Sequence, residues 1–220
     1  MEPTLRASFP FPLNGMELKR QEYAQEIEQA KMDDAFLKSL VENVNPKRQK
    51  KELREMSSQV LMVLAEDVPG LIAPHTEELY GFLEEKNSFS KLVSIYCIAG
   101  LVLAECEPKF DSNIFRYIAM LKDDSVMIAC HCALNCGKIA SEIPAYEPAI
   151  TEAFLRITNS NHKESRMDLV IAYVINAFAE FADQSARLDE INAFVWGQIE
   201  NASPKAREAS KNYFAKFQGA

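Results

Sequence analysis

Three of the five cysteines and one of the three histidines fall within ten residues, Met127 to Cys136, in the stretch MIACHCALNC. Sulfur and imidazole at that density could ligate a soft metal or run thiol–disulfide chemistry. A tetrahedral zinc site needs four such ligands converging on one point. On a helix, Cys132 and Cys136 stand about 40° apart on one face, whereas Cys130 and His131 point elsewhere. The stretch therefore offers two convergent ligands, with Cys97 the only evident further sulfur donor. Free cysteine behaves as a small, commonly buried apolar residue, so core packing is the expected role. No metal and no cofactor are expected.

The remaining chemistry-bearing residues converge no better. His75, His131 and His162 are scattered, and none is followed by glutamate. No glycine-rich phosphate loop, nucleophile elbow or His-Glu-x-x-His motif is present. No catalytic residue is nominated.

The elements that must position these residues follow a repeat. Four segments end alike: VLMVLAEDVP (60–69), AGLVLAECEP (99–108), NCGKIASEIP (135–144) and VINAFAEFAD (174–183), spaced by 39, 36 and 39 residues. Ala65, Ala104, Ala140 and Ala179 form one column, and Pro69, Pro108, Pro144 and Asp183 another. Proline there cannot continue a helix and marks a helix-to-helix turn. Long apolar-periodic helices (A) are expected near 46–66, 88–105, 124–141 and 161–181, opened by Asn45-Pro46, Ser88, Asp124 and Asn161. Shorter helices (B) follow near 74–86, 111–122, 147–158 and 187–200, then a final helix from Ser203-Pro204 to about Gln218. Two helices near 16–31 and 33–44 precede the repeats, and strand signals are almost absent.

Helix pairs at this spacing stack, because one pair cannot bury its apolar face alone. The chain resembles the HEAT-repeat (armadillo-like α-solenoid) family, most closely over DDSVMIACHCALNCGKIASEIP (123–144). The basic residue that the family often carries after the valine of that pattern is Lys91 or Arg166 in two repeats and Met127 in another. A 34-residue tetratricopeptide array fits less well, because the period is too long. The resemblance implies an all-α, right-handed α-α superhelix of about four to five helix pairs. It divides the chain into an extended arm (1–14, with SFPFPL at 8–13), capping helices (15–45) and repeats with a C-terminal capping helix (46–218). A hydroxylase built on such repeats would be expected to carry His-Glu pairs, which are missing.

Charge placement suggests where a partner would bind. The A-to-B turns carry Glu66, Asp67, Glu105, Glu107, Glu142, Glu180 and Asp183. The opposite edge is basic, densest at PKRQKKELR (46–54) with Lys47, Arg48, Lys50, Lys51 and Arg54, and continuing at Lys91 and Arg166. Basic residues opening a helix face its positive end and are not explained by the dipole. Such runs are commonly only a solvated surface; the functional alternative is an edge for an acidic protein segment or phosphate. The single tryptophan, Trp196, joins an aromatic set with Tyr80, Tyr117 and Phe154. Packing of B against A is the favoured role for these rings, and anchoring a partner is the other.

Composition bounds the rest. A net charge of −8 argues against a nucleic-acid wrapper. No run reaches the roughly 18 apolar residues of a membrane span. Neither a signal peptide nor a disulfide framework is evident, so a reduced, cytoplasmic protein is expected. The leading reading is a non-enzymatic scaffold or adaptor that binds another protein. The alternatives are a HEAT-like DNA alkylation repair glycosylase, with Trp196 and Asp189 imitating its aromatic–carboxylate pair, or a regulatory subunit of a larger enzyme.

Overall fold

The repeating alanine and proline columns translate into alternating long and short helices. The computed structural model describes residues 18–45, 50–159 and 163–218, among which there are eleven α-helices and no strand. The arm at 1–14 lies outside the described residues. Two compact units divide between Glu107 and Pro108.

The first unit contains α1 (Ala24–Met32), α2 (Asp34–Asn43), α3 (Lys51–Asp67), α4 (Thr76–Leu83) and α5 (Ser88–Leu103). Helices α3 and α5 are the A helices. In α3 every residue from Ser57 to Ala65 is buried, which requires cover on all sides. Helices α2 and α5 supply cover for α3, and α4 packs on α5. The closest approach is at Gly100 in α5, where an added Cβ would lie 2.4 Å from the Ala65 carbonyl oxygen. Only glycine lets the two backbones meet there.

The second unit contains α6 (Phe110–Ile118), α7 (Val126–Glu142), α8 (Glu147–Leu155), α9 (Glu164–Phe178), α10 (Leu188–Trp196) and α11 (Pro204–Gln218). The A helices α7 and α9 pack against each other, with α8 on α7 and α11 on α9. An added Cβ at Gly137 would lie 2.7 Å from Ala177 Cβ, repeating the solution seen at Gly100. The B helices are one-sided. Helix α6 buries Phe110, Ile114, Tyr117 and Ile118 and exposes Asp111, Ser112, Phe115 and Arg116. Helix α11 buries Ala206, Ala209, Ser210 and Tyr213 and turns Lys205, Glu208, Lys211, Asn212 and Lys216 to solvent.

The A-to-B turns form where expected. Pro69 opens the first of two 3-10 turns and Pro144 a single one, and Ala182–Gln184 makes the equivalent turn around Asp183 without proline. Helix α5 ends differently, in a Schellman motif. Cys106 N–H donates to Leu101 O and Glu105 N–H to Val102 O, with Glu105 left-handed at φ 58°.

Helix starts differ from expectation by a residue or more. Asn87, not Ser88, caps α5, its side-chain oxygen accepting from Phe89 N–H and Ser90 N–H. Ser125, not Asp124, is the N-cap of α7 and makes no side-chain cap bond; Asp123 instead accepts from Ser125 N–H. Asn161 lies outside the described residues, and Lys163 is the N-cap of α9. At α5 a short polar residue one position earlier satisfies the orphan N–H groups, so sequence alone leaves this register loose.

Candidate functional site

The sulfur-rich stretch resolves as core. Cys97, Cys132 and Cys136 are fully buried, and Cys130 and His131 nearly so. The Cys132 and Cys136 sulfurs are 3.8 Å apart, and Cys132 also contacts Tyr117 O at 3.4 Å. Burial pushes the Cys97 and Cys130 thiols up to about 12 and the Cys132 thiol well above its ordinary value. Burial likewise lowers the His131 pKa. Thiols held protonated are poor nucleophiles and poor ligands. Among the described residues no three His, Cys, Asp or Glu side chains are grouped to hold a metal ion.

A groove of about 310 Å³ lies between α2 and α4, lined in part by Lys38, Glu42, His75, Glu78, Phe82 and Glu85. Sequence reading nominated none of these as a site. His75 Nδ1 is 3.8 Å from Glu78 Oε1, too far for a hydrogen bond. No serine, threonine or cysteine lines the groove.

The basic candidates are placed as follows. Lys50 is the N-cap of α3 and Lys51 its first residue; both are exposed and in no ion pair among the described residues. Lys47 and Arg48 lie outside the described residues. Lys91 is half-buried in the first turn of α5. In the second unit, Arg166 is exposed in the first turn of α9, with no ion pair among the described residues. Arg54 is drawn inward, its guanidinium 6.0 Å from the Phe89 ring.

The acidic end of α3 is occupied. Arg20 donates to Glu66 and Asp67, each at 2.5 Å, and Lys19 Nζ donates to Glu55 at 3.0 Å. Sequence reading placed Glu66 and Asp67 on an acidic edge but missed both cations, which precede α1 without any periodic pattern.

Trp196 departs from its expected companions. Tyr80, Tyr117 and Phe154 are fully buried, as packing demands, while Trp196 is 65% exposed. Helix register explains the difference. Tyr117 and Phe154 are the eighth residues of α6 and α8, whereas Trp196 is the ninth of α10 and Val195 fills the buried slot. The indole stands edge-on to Phe214, centroids 5.7 Å apart at 72°. Asp189, in the first turn of α10, is also exposed.

No protein-family model and no curated protein matches the sequence. Solved structures do match. A designed armadillo repeat protein in complex with the peptide (KR)4 superposes with a TM-score of 0.55 at 12% identity, over 93% of this chain and 96% of that one. Two engineered proteins give TM-scores of 0.54 and 0.56 at 13% and 12% identity, covering 94% and 92% of this chain and 94% and 93% of theirs. The chain has an armadillo/HEAT-like helical-repeat fold. At these identities the likeness speaks to fold alone.

Proposed function

We propose that this chain is a non-enzymatic scaffold that binds another protein, anchored by Trp196 and steered by exposed cations. Trp196 carries the reading. A large indole kept mostly in solvent, yet held by Phe214, is the kind of rigid aromatic that dominates binding energy at interfaces. Lys50, Lys51 and Arg166 add cations without an ion-pair partner among the described residues, which favours an acidic segment. Lys47, Arg48 and Lys91 complete the proposed basic set. The designed neighbour solved with (KR)4 supports the class, since a repeat of this fold can present a peptide site. A regulatory subunit would be one form of the same activity. The glycosylase alternative is disfavoured by the net charge of −8 and by the exposure of both Asp189 and Trp196.

The test is capture from native lysate with wild type, Trp196→Ala, and a Lys50→Glu/Lys51→Glu/Arg166→Glu variant, followed by titration with the purified partner. The single tryptophan reports directly. Its emission should shift to the blue on binding, and both variants should lose at least tenfold in affinity. A partner held equally by all three proteins would overturn the assignment of these residues, each unit's set being judged by itself. A salt-sensitive shift of duplex DNA would overturn the function class.

A further inference from the structure

In the first unit α2 packs on α3 and α4 on α5, which leaves the groove between α2 and α4 open. Its floor is apolar, formed by the buried side chains of Val41 and Phe82. Its rim is mainly acidic, with Glu42 from α2, Glu78 from α4 and Glu85 from the turn that follows α4. The wall also contains Gly81, inside α4. Glycine is a poor choice for the interior of an eight-residue helix. At Gly100 and Gly137 a facing helix demands the missing side chain, but at Gly81 an added Cβ would meet nothing within 4 Å. No contact among the described residues therefore accounts for this glycine. It leaves bare backbone beside the groove, where a ligand can lie close.

We propose that this groove binds a linear aliphatic polyamine, its methylene chain lying over Val41, Gly81 and Phe82 and its ammonium groups meeting the rim carboxylates. Spacing selects an extended cation over a compact one. Among the described residues no three His, Cys, Asp or Glu side chains are grouped to share one metal ion, so the rim carboxylates call for separate charges. From Glu78 to Glu85 the chain advances about 11 Å, through the rest of α4 and the tighter turn after it. A triamine with three- and four-carbon spacers also spans about 11 Å between its end nitrogens when extended, by ordinary bond lengths. Glu42, on the opposite wall, is exposed and in no ion pair among the described residues, and it can meet the central ammonium. The apolar floor favours methylenes over a peptide main chain, whose N–H and C=O groups would need partners there. Lys38 opposes the ligand, but it is exposed at the rim, where its repulsion is screened.

This site shares no residue with Trp196 or the basic set, so either proposal can fail without the other. The test titrates spermidine into the full chain by isothermal titration calorimetry at about 0.15 M salt, where diffuse attraction is largely screened. Wild type should bind at one site, and Glu78→Gln/Glu85→Gln should lose at least tenfold in affinity. Gly81→Leu separates binding from folding. Its Cβ has open space and leucine is the better helix former, so its urea midpoint should match or exceed that of wild type. Its side chain fills the groove, so spermidine should bind at least tenfold more weakly. Putrescine, a diamine too short to reach from Glu78 to Glu85, should bind wild type at least tenfold more weakly than spermidine does. Equal affinity of wild type and either variant would mean that spermidine answers only the net charge of −8, and would overturn the proposal. So would the absence of binding to wild type at millimolar spermidine.

Discussion

In the first unit, Arg20 to Glu66 and Asp67, and Lys19 to Glu55, tie distant segments through half-exposed ion pairs. In the second unit, comparable surface pairs at Arg187 with Glu152 and Glu190 are joined by titratable groups held inside, notably His131 and Tyr213. The contrast has a physical consequence. Exposed pairs are screened by salt, whereas a buried imidazole is sensitive to pH and nearly indifferent to salt. Both units should loosen slightly with ionic strength, and His131 gives the second an added sensitivity to acid.

The largest expected effect tests what the units share. Gly100→Ala and Gly137→Ala each force a Cβ into a facing backbone, which outweighs alanine's better helix propensity. Each should cost about 1–3 kcal/mol, with Gly100 the larger because its obstacle is a carbonyl oxygen at 2.4 Å. Urea midpoints of the purified variants measure this. A neutral Gly137→Ala would mean that the second unit yields where the first does not.

Capping sharpens the difference between units. Asn87→Ala removes a side chain that accepts from two N–H groups and should cost about 1 kcal/mol. Ser125→Ala removes no cap bond and should cost under about 0.5 kcal/mol by the same measurement. Glu105→Gly should move stability the other way, by under about 1 kcal/mol, since glycine accepts the left-handed backbone that glutamate adopts there.

The smallest effect isolates His131. Its folded pKa lies below the ordinary 6.5, so the unfolded chain binds the proton first as pH falls. Stability attributable to neutral His131 is therefore complete above about pH 6.5 and declines as pH drops toward the folded value. His131→Gln should flatten that part of the profile between pH 7.5 and 5. Region-resolved hydrogen exchange should place the loss in Pro108–Ala220; a loss confined to Met1–Glu107 would refute the assignment.

The helices were legible because their signals are local and periodic. The proline column placed the turns, and apolar runs such as VLMVLA located helices that had to be covered on all sides. The cysteine stretch was readable for the same reason, since Cys136 shares a column with Leu61, Gly100 and Ile175. Features set by one residue of register were not. Asn87 and Ser88 are both good caps by type, and only backbone geometry selects between them. Trp196 shares a short helix with Val195, and a 100° step decides which of the two meets solvent. The segment ahead of α1 lay furthest from reach. Its pairing joins residues 46 and 47 positions apart, and no periodicity in the sequence links Arg20 to Glu66 or Asp67.

The close approaches at Gly100 and Gly137 bear on how such a fold diverges. What these helix contacts require is the absence of volume at one position and apolar bulk around it, and many sequences meet that requirement. Two chains can then share backbone geometry across nine-tenths of their length with about one residue in eight in common, as this chain does with the engineered repeats. Residue identity fades while the pattern of large and small side chains keeps the helices in step.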